Sequence, residues 1–322
     1  MQYLAYGPRG TGPAPARPES RHEACDLGVP VSPSQGGPGE FACRLLRARE
    51  IASTGDRSRQ AMVLHLAVLE HQVGRTTAAH VVKSAERASL PAAERRAQGR
   101  YPLLALDRLV GAVVSEIDRA VRALLAALPT GLPAALEQSG LHLIGATADE
   151  RRRSVSGWLS GDGPPPPASA FWIVVAGAPP LELATRAVPG PSPGEWGRPA
   201  CPWCGGTAWL SLLTDASGAQ AGTARPCRRL VCGRCAGRWA YPLLACPACG
   251  ERDPHRSRPY ALSGQSWVRI DACEACHNYI KTFDLRADGA EGVVPFVDEL
   301  VTGGLDRWAQ ERGLHRRGRL AS

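Results

Sequence analysis

The sequence is poor in Phe and Met and contains no long apolar run. Only four of its 322 residues are Phe and two are Met, although the apolar fraction of 44% is ordinary for a globular protein. The best candidate for a membrane span, FWIVVAGAPPLEL from residue 171, stops at two prolines and falls short of the roughly 20 residues that a bilayer requires. The stretch MQYLAYGPRGTGPAPARPES, at the start, lacks the apolar core of a signal peptide. We therefore expect a cytoplasmic protein without membrane insertion.

Glycine and proline, by contrast, are abundant, with 35 and 28 residues, and they mark the loose segments of the chain. Residues 1–40 are rich in Pro, Gly and Ser with little periodicity, so we predict a disordered leader there and treat Cys25 as incidental. A second such segment, residues 188–199, is interpreted as the linker between two domains.

Hydrophobic periodicity predicts an all-α domain over residues 41–187. Its strongest predicted helix covers residues 103–128, where seven apolar residues share one face. They are Leu106, Val110, Val113, Ile117, Val121, Leu124 and Leu128. A break is expected at GDGPPPPASA, residues 161–170, because its prolines cannot continue a helix. The short run FWIVVAG after it is compatible with either a helix or a strand.

Cysteine is concentrated beyond the linker, where nine of the 11 cysteines lie. Eight of them form four Cys-x-x-Cys pairs, namely Cys201/Cys204, Cys232/Cys235, Cys246/Cys249 and Cys273/Cys276. This spacing lets a tight turn direct both sulfurs at one metal ion, and two such turns complete a tetrahedral S₄ shell. Because a reducing compartment disfavours disulfides, we predict that all eight cysteines are metal ligands.

The form of the pairs suggests an internal duplication. CPWCG at 201 and CPACG at 246 share the pattern C-P-x-C-G, whereas CGRC at 232 and CEAC at 273 lack the Pro after the first Cys and the Gly after the second. The alternating order predicts that neighbouring pairs cooperate, with one site over residues 201–235 and another over residues 246–276. A cross-braced arrangement is the alternative. Cys227 lies outside the repeat and is interpreted as a bystander.

Aromatic residues near the pairs are expected to cover the sites and exclude water. They are Trp203, Trp209, Trp239, Tyr241, Trp267 and Tyr279. The string CEACH at 273–277 also matches a c-type haem attachment motif, but three further pairs favour a metal knuckle followed by a surface histidine. Nothing in the sequence selects a His and an Asp to serve a cysteine nucleophile, so we do not predict an enzyme.

The C-terminal third resembles formate dehydrogenase accessory proteins of the FdhE type. The resemblance rests on CPWCGG at 201, RRLVCGRCAGRWAYPLLACPACG at 228–250, DACEACHNYIKTFD at 271–284 and PFVDELVTGGLDRWAQERGL at 295–314. The last of these fits a C-terminal helix over residues 297–312, with Val297, Val301, Leu305 and Trp308 on one face. In the N-terminal half, RLLRAREIA at 44–52 and LAVLEHQ at 66–72 fit the family's helical domain.

The resemblance implies an α+β protein, in which an N-terminal all-α domain precedes tandem rubredoxin-like or zinc-ribbon units and a C-terminal helix over residues 200–322. It also implies a non-enzymatic cytoplasmic factor that binds the catalytic subunit of formate dehydrogenase and is needed for active enzyme. The eight paired cysteines would hold two metal ions, iron or zinc. The chain departs from the family in an extended loop at 214–227 and in the poorly matching region 160–190.

A nucleic-acid-binding zinc-ribbon protein is the alternative function. A net charge of +8 and the basic tail HRRGRL motivate it. Four arginines also surround the second pair, namely Arg228, Arg229, Arg234 and Arg238. Acidic residues interleaved near the last pair count against this alternative.

Overall fold

Helices make up the N-terminal half of the computed structural model, which describes residues 3–5, 40–54, 59–128, 131–161, 167–192, 195–215, 226–262 and 264–316. The helices there are α1 (Glu40–Ser53), α2 (Arg59–Arg75), α3 (Ala79–Ser89), α4 (Ala92–Ala97), α5 (Val110–Ala127), α6 (Ala134–Gly145), α7 (Ala148–Ser160) and α8 (Pro167–Arg186). A capping box at Thr147 and Glu150 starts α7, and Gly161 in the left-handed region ends it.

Helix α5 carries the strongest predicted stripe but begins later than the periodicity indicated. Val113, Ile117, Val121 and Leu124 are all fully buried, as expected. The predicted start at residue 103 is wrong, because the preceding residues pair with the first cysteine turn instead of coiling. The N–H groups of residues 103 and 104 donate to the carbonyls of residues 202 and 203 at 2.9 and 3.0 Å. A 3₁₀ turn at residues 106–109 then leads into α5.

Helix α8 shows that FWIVVAG is helical and that the prolines do not end the run, which corrects the expectation from the sequence. The helix continues through Pro179 and Pro180 to Arg186. Proline lacks an N–H, so the carbonyl four residues earlier loses its helical donor. The buried side chain of Gln72 on α2 replaces that donor by bonding to the Val175 carbonyl at 3.2 Å. Packing against α2 therefore supports the helix across its prolines.

Helix α8 is also the one described helix that is long and apolar enough to cross a membrane. However, 78% of its most apolar window is buried inside the protein, against the other helices. This burial is the pattern of a core helix, in which apolar residues on all sides contact protein.

The C-terminal half is built on one mixed sheet. Its described strands are β1 (Tyr3–Ala5), β2 (Ala208–Asp215), β3 (Pro226–Cys232), β4 (Arg238–Ala240), β5 (Ser257–Leu262), β6 (Gln265–Cys273), β7 (Asn278–Asp284) and β8 (His315–Arg316). Their order is β1-β5-β6-β7-β2-β3-β4, with β8 beside β7. Two antiparallel units, β2–β4 and β5–β7, are joined by the parallel pair β2 and β7.

Strand β1 differs from the prediction of a disordered leader, because residues 3–5 pair with β5 at the edge of the sheet. Residues 6–39, with Cys25, lie outside the described residues. The extended loop expected at 214–227 is partly strand: Asp215 pairs with Pro226 at the end of the β2–β3 hairpin. Residues 216–225 are not among those described.

The predicted helix over 297–312 is two helices, α9 (Pro295–Val301) and α10 (Gly303–Gln310), that meet at Thr302. Fully buried Lys281 on β7 holds this junction, because its Nζ atom donates to the carbonyls of Glu299 and Thr302 at 3.2 and 3.3 Å. Its charge is balanced by Asp306, 2.5 Å away. The motif HNYIKTFD therefore fixes the C-terminal helices on the sheet.

The predicted linker is packed between the two halves. Val188 and Trp196 within it are buried in the core that also contains the helices and the first cysteine pair. The indole N–H of Trp203 donates to the Val188 carbonyl at 2.9 Å. The helices and the first strand unit therefore share one core.

A buried carboxylate ties α5 to α2 and α3. Glu116 is 1% exposed, and its oxygens lie 2.6 Å from Arg75 Nε and 2.6 Å from His80 Nε2. Burial acts to raise the pKa of Glu116, but the hydrogen bonds from Arg75 and His80 outweigh it and lower the pKa. A carboxylate whose pKa falls on folding stabilises the protein above its unfolded pKa, and this stabilisation is lost as the pH falls through the folded pKa.

We expect Glu116→Gln to lower the free energy of unfolding by about 2 kcal/mol at neutral pH, because it removes a buried charge that accepts hydrogen bonds from the partly exposed Arg75 and His80. The difference from the wild type should shrink towards zero in acid, where Glu116 is itself neutral. Urea denaturation at neutral and at acid pH measures the free energy of unfolding. Glu86→Gln, which removes an exposed carboxylate on α3, is the control. An equal loss at both pH values would contradict the role of the Glu116 charge.

Candidate metal centres

Four cysteines form a closed group where the sheet meets the helices, and we call them the first Cys₄ group. Cys201 and Cys204 lie in the turn before β2, Cys232 ends β3, and Cys235 follows it. The Sγ atoms of Cys201 and Cys235 are 3.5 Å apart, as are those of Cys204 and Cys232. All four residues are at most 1% exposed. A Cβ atom at Gly206 would lie 3.0 Å from the Cys232 sulfur, so any larger residue here would crowd the sulfurs.

The second Cys₄ group belongs to the second strand unit. Cys246 and Cys249 precede β5, Cys273 ends β6, and Cys276 lies in the turn before β7. The Sγ atoms of Cys246 and Cys276 are 3.8 Å apart, and those of Cys249 and Cys273 are 3.7 Å apart. Cys273 is buried, Cys246 and Cys276 are half-buried, and Cys249 is exposed. This group therefore lies open to solvent on one side.

The structure groups the cysteines sequentially, which is the arrangement that the repeat predicted, and not in the cross-braced alternative. Within each group all four sulfurs lie within 4.8 Å of one another. Cys43 and Cys227 lie outside both groups. Fold and spacing together thus place one group in each strand unit.

The sulfur geometry fits a metal ion and does not fit disulfides. The four sulfurs around a tetrahedral zinc ion lie about 2.3 Å from it and therefore about 3.8 Å from one another. In each group the two sulfur pairs named above, 3.5 to 3.8 Å apart, match that edge. A disulfide would bring two sulfurs to about 2.05 Å. Each group could hold one ion, and thiolate ligands suit zinc and iron alike.

One backbone turn is repeated four times. The residue after each second cysteine has a positive φ angle: 71° at Gly205, 56° at Ala236, 80° at Gly250 and 55° at His277. Its N–H donates to the carbonyl of the first cysteine of the pair at 2.8 to 3.1 Å. The two pairs that have Ala236 or His277 after the second cysteine therefore adopt the same turn as the two that have glycine there, as a duplication would produce.

Amide groups in these turns also approach the sulfurs. The N–H of Arg234 donates to the Cys232 sulfur at 3.3 Å, and the N–H of Ala248 donates to the Cys246 sulfur at 3.4 Å. Such donors favour a thiolate over a thiol. The turns are therefore shaped for charged sulfur ligands.

Burial and hydrogen bonds shift the pKa values of the individual thiols in different directions. Burial raises the pKa of Cys201 and of Cys235. Burial acts in the same direction on Cys232, but hydrogen bonds from the three neighbouring thiols outweigh it and lower its pKa. In the second group, burial raises the pKa of Cys246 to about 12. A cation among the sulfurs would favour the thiolate form of all four, because its positive charge offsets the repulsion between neighbouring thiolates.

His277 explains the haem-like string CEACH in structural terms. It is exposed, and its positive φ angle of 55° closes the last turn. Replacing it by Gly should leave the metal content unchanged and the stability within about 1 kcal/mol of the wild type, because Gly adopts this conformation without strain. Metal analysis and thermal denaturation measure both quantities. Loss of an ion from His277→Gly would show that the imidazole is a ligand.

The helical half seals the first Cys₄ group. Arg234, between Cys232 and Cys235, donates from its guanidinium to the carbonyl of Leu159 at 2.7 Å and to that of Cys204 at 3.2 Å. It thereby joins the end of α7 to the first group. No comparable contact from helices α2 to α8 reaches the second group in the part of the chain that the structure describes.

The predicted aromatic cover divides between two cores. Trp203, Trp239 and Tyr241 are buried in the core that contains the first group. Trp209, Trp267 and Tyr279 instead pack in the core beneath α10. The sequence could not separate these sets, because both lie close to cysteines along the chain.

Three of the four arginines that suggested nucleic-acid binding are engaged within the protein. Buried Arg228 donates to Ser211 and to two backbone carbonyls. Arg234 holds the contacts to α7, and Arg238 pairs with Glu40 at 2.6 Å. The remaining Arg229 is half-buried. This cluster therefore presents little free charge to a phosphate backbone.

Comparison with known proteins found relatives that match part of the chain. The chain is 31% identical over 119 residues to the "Protein FdhE homolog" of Aquifex aeolicus (strain VF5), which is 37% of this chain and 40% of that protein. It is also 31% identical over 113 residues to the "Protein FdhE homolog" of Shewanella baltica (strain OS223), which is 35% of each. The matches thus span less than half the length of these relatives. No family model matches the chain.

The fold has a solved counterpart over nearly its whole length. The crystal structure of the FdhE protein from Pseudomonas aeruginosa superposes with a TM-score of 0.63 and 22% sequence identity, covering 88% of this chain and 95% of that one. The α+β architecture predicted from the sequence, with helices first and two ribbon-like units after them, is confirmed by this likeness and by the two Cys₄ groups.

Proposed function

We propose that this chain is a cytoplasmic member of the FdhE family and acts as a non-enzymatic accessory factor for formate dehydrogenase, binding that enzyme's catalytic subunit. The observation that carries the proposal is the pair of Cys₄ groups in tandem strand units, within a fold that is similar to a solved FdhE protein. The 31% identity to an FdhE homolog over 119 residues also supports it.

We propose that the eight paired cysteines hold two metal ions, either iron or zinc. Cys201, Cys204, Cys232 and Cys235 would bind one ion, and the other four cysteines would bind the second. A bound ion supplies a cross-link between two turns, which small ribbon units need because their cores are small. A visible absorption spectrum of protein purified without air distinguishes the metals, since zinc–thiolate sites are colourless.

The absence of an enzymatic role is supported by the ligand sets. A catalytic metal site keeps an open coordination position for water or substrate, whereas four cysteines complete a tetrahedral shell. Both groups supply four sulfurs, so neither requires a further ligand. The protein would then act by presenting a shaped surface to a partner.

Capture of the partner tests the proposed function. A tagged full-length chain, expressed in its own organism with formate dehydrogenase, should recover the catalytic subunit of that enzyme when purified without air. A variant with Ser at Cys249 and Cys273, which removes half of the second group, should recover less. Failure of the wild-type chain to recover the subunit would contradict the proposal.

A further inference from the structure

A cleft of about 280 Å³ opens beside the second Cys₄ group. Residues 243–247 form one wall, and Cys246 and Cys273 are part of the lining. The other wall is formed by Glu251, Asp253, Pro254, Arg256 and Ser257. The first Cys₄ group does not line it. The volume suits one or two side chains, because pockets for whole cofactors are usually larger.

The carboxylates of the cleft are already engaged by donors of the protein. Glu251 accepts the backbone N–H groups of residues 252 and 253 at 2.8 and 3.0 Å. Asp253 accepts the N–H of residue 255 at 2.9 Å. Asp271 accepts Arg269 Nε and Thr282 Oγ1, both at 2.7 Å. At least one oxygen of each of these carboxylates is therefore already occupied by a donor of the protein.

Two of the four arginines that line the cleft, Arg256 and Arg269, have donors to spare. Arg269 uses only its Nε atom, and its two Nη atoms make no hydrogen bond within the described residues. Arg256 has a side chain that is 56% exposed, and its carboxylate neighbour Glu251 is 3.6 Å away. Guanidinium groups with free N–H donors bind carboxylates in paired, charge-assisted hydrogen bonds. The polarity of the cleft therefore favours an acidic ligand.

An apolar rim adjoins these arginines. Leu243 and Leu244 line the cleft and are 43% and 53% exposed. Their loop is held in place by the buried Arg228, whose Nη1 donates to the carbonyls of Leu243 and Ala245 at 3.2 and 2.8 Å. Exposed leucines next to free cationic donors resemble the centre of a protein interface, where an apolar contact is surrounded by polar ones.

We infer that this cleft receives an acidic segment of the partner protein, whose carboxylate binds Arg256 and Arg269 while a neighbouring apolar side chain packs on Leu243 and Leu244. The inference rests on the proposed function and adds the contact surface to it. Because Cys246 and Cys273 belong to the cleft lining, the second Cys₄ group shapes the surface that the partner meets.

Substitutions in the cleft test the inference, with recovery of the catalytic subunit as the readout. Arg256→Glu and Leu244→Ser should each lower the recovery at least tenfold relative to the wild-type chain. Arg252→Glu lies on the same loop, exposed and outside the cleft lining, and is the matched charge control. Leu90→Ser removes an exposed leucine, 73% accessible, from α3's C-terminal end. Both controls should stay within twofold of the wild type, with metal content unchanged in all variants.

The outcomes distinguish a failure of the proposed contact surface from a failure of the proposed function. If the wild type captures the subunit and Arg256→Glu captures it equally well, the cleft is not the contact surface although the function stands. If Arg252→Glu loses as much as Arg256→Glu, general charge and not the cleft governs binding. If the wild-type chain captures nothing, the function fails, and the inference fails with it. Capture that disappears after nuclease treatment would identify nucleic acid as the occupant and overturn the inference.

A photo-crosslinker at the rim locates the segment directly. With p-benzoylphenylalanine at position 244, irradiation of the complex should join the chain to the catalytic subunit at a segment that contains Asp or Glu next to an apolar residue. The same group at position 90 should give no such product. Attachment at 244 to a basic segment, or equal attachment from position 90, would refute the proposed acidic ligand.

Discussion

Replacing Cys204 and Cys232 together by Ser is expected to remove one metal ion from the chain and leave the other bound. Both sulfurs belong to the first Cys₄ group and lie 3.5 Å apart, so the double variant damages a single site. A cross-braced protein would lose both ions, since the two cysteines would then serve different sites. Metal analysis of the variant, normalised to protein concentration, measures the difference.

The same variant should lose most of its folded structure at the junction of the two halves. Structural zinc contributes on the order of 10 kcal/mol to small folded units at neutral pH, which is comparable to the whole stability of a typical domain. The first group shares its core with α5, α7 and α8, so its collapse exposes apolar surface on both sides. We expect a thermal midpoint lower by more than about 10 °C, measured by circular dichroism.

The matched double variant Cys249→Ser with Cys273→Ser should lose the other ion but keep the helical half folded. Its sulfurs lie 3.7 Å apart in the half-open second group. The exposed Cys43→Ser is the control for removing a thiol outside both groups, and it should retain both ions. Equal destabilisation by the two double variants would contradict the special role of the first group in joining the halves.

The two metal ions are also expected to dissociate at very different rates after a chelator is added to the protein. Cys249 is exposed, whereas every cysteine of the first group is at most 1% exposed. Loss from the first group requires local opening of the interface with the helices, and an extra opening cost of about 2.7 kcal/mol slows exchange roughly 100-fold. Absorbance of a coloured chelator should therefore rise in two phases of equal amplitude.

Arg234→Ala tests whether the slow phase comes from the first Cys₄ group. Arg234 binds the carbonyls of Leu159 and Cys204, so its removal should accelerate the slow phase and leave the fast phase unchanged. Arg252→Ala, an exposed arginine near the second group, should leave the slow phase unchanged. A single phase in the wild-type protein would contradict the sealing of the first group by the helices. So would a slow phase whose rate is the same in Arg234→Ala as in the wild type.

The grouping of the cysteines could be predicted because their spacing and repeat are local features. Two intervening residues fix a turn, and the alternation of CPxCG with CGRC and CEAC identifies which pairs follow a common plan. The stripe on α5 was equally accessible, since helical periodicity reports burial directly. These features depend on residues that are neighbours in the sequence.

The features that escaped prediction depend on partners far along the chain. Pro179 in α8 is tolerated because Gln72, about 100 residues earlier, bonds to the Val175 carbonyl. Helix α5 starts late because residues 103 and 104 bind the turn at residues 202 and 203. The unequal exposure of the two Cys₄ groups follows from the helices packing on one strand unit. No periodicity within a window of residues carries this information.

Native mass spectrometry of the full chain, purified without air, tests the central claim most directly. We predict a dominant species that carries two metal ions per chain, with a second species carrying one ion after brief exposure to a chelator. A chain of bare mass in freshly purified protein, with its paired cysteines free or joined in disulfides, would contradict the assignment of Cys201, Cys204, Cys232, Cys235 and their four counterparts as ligands.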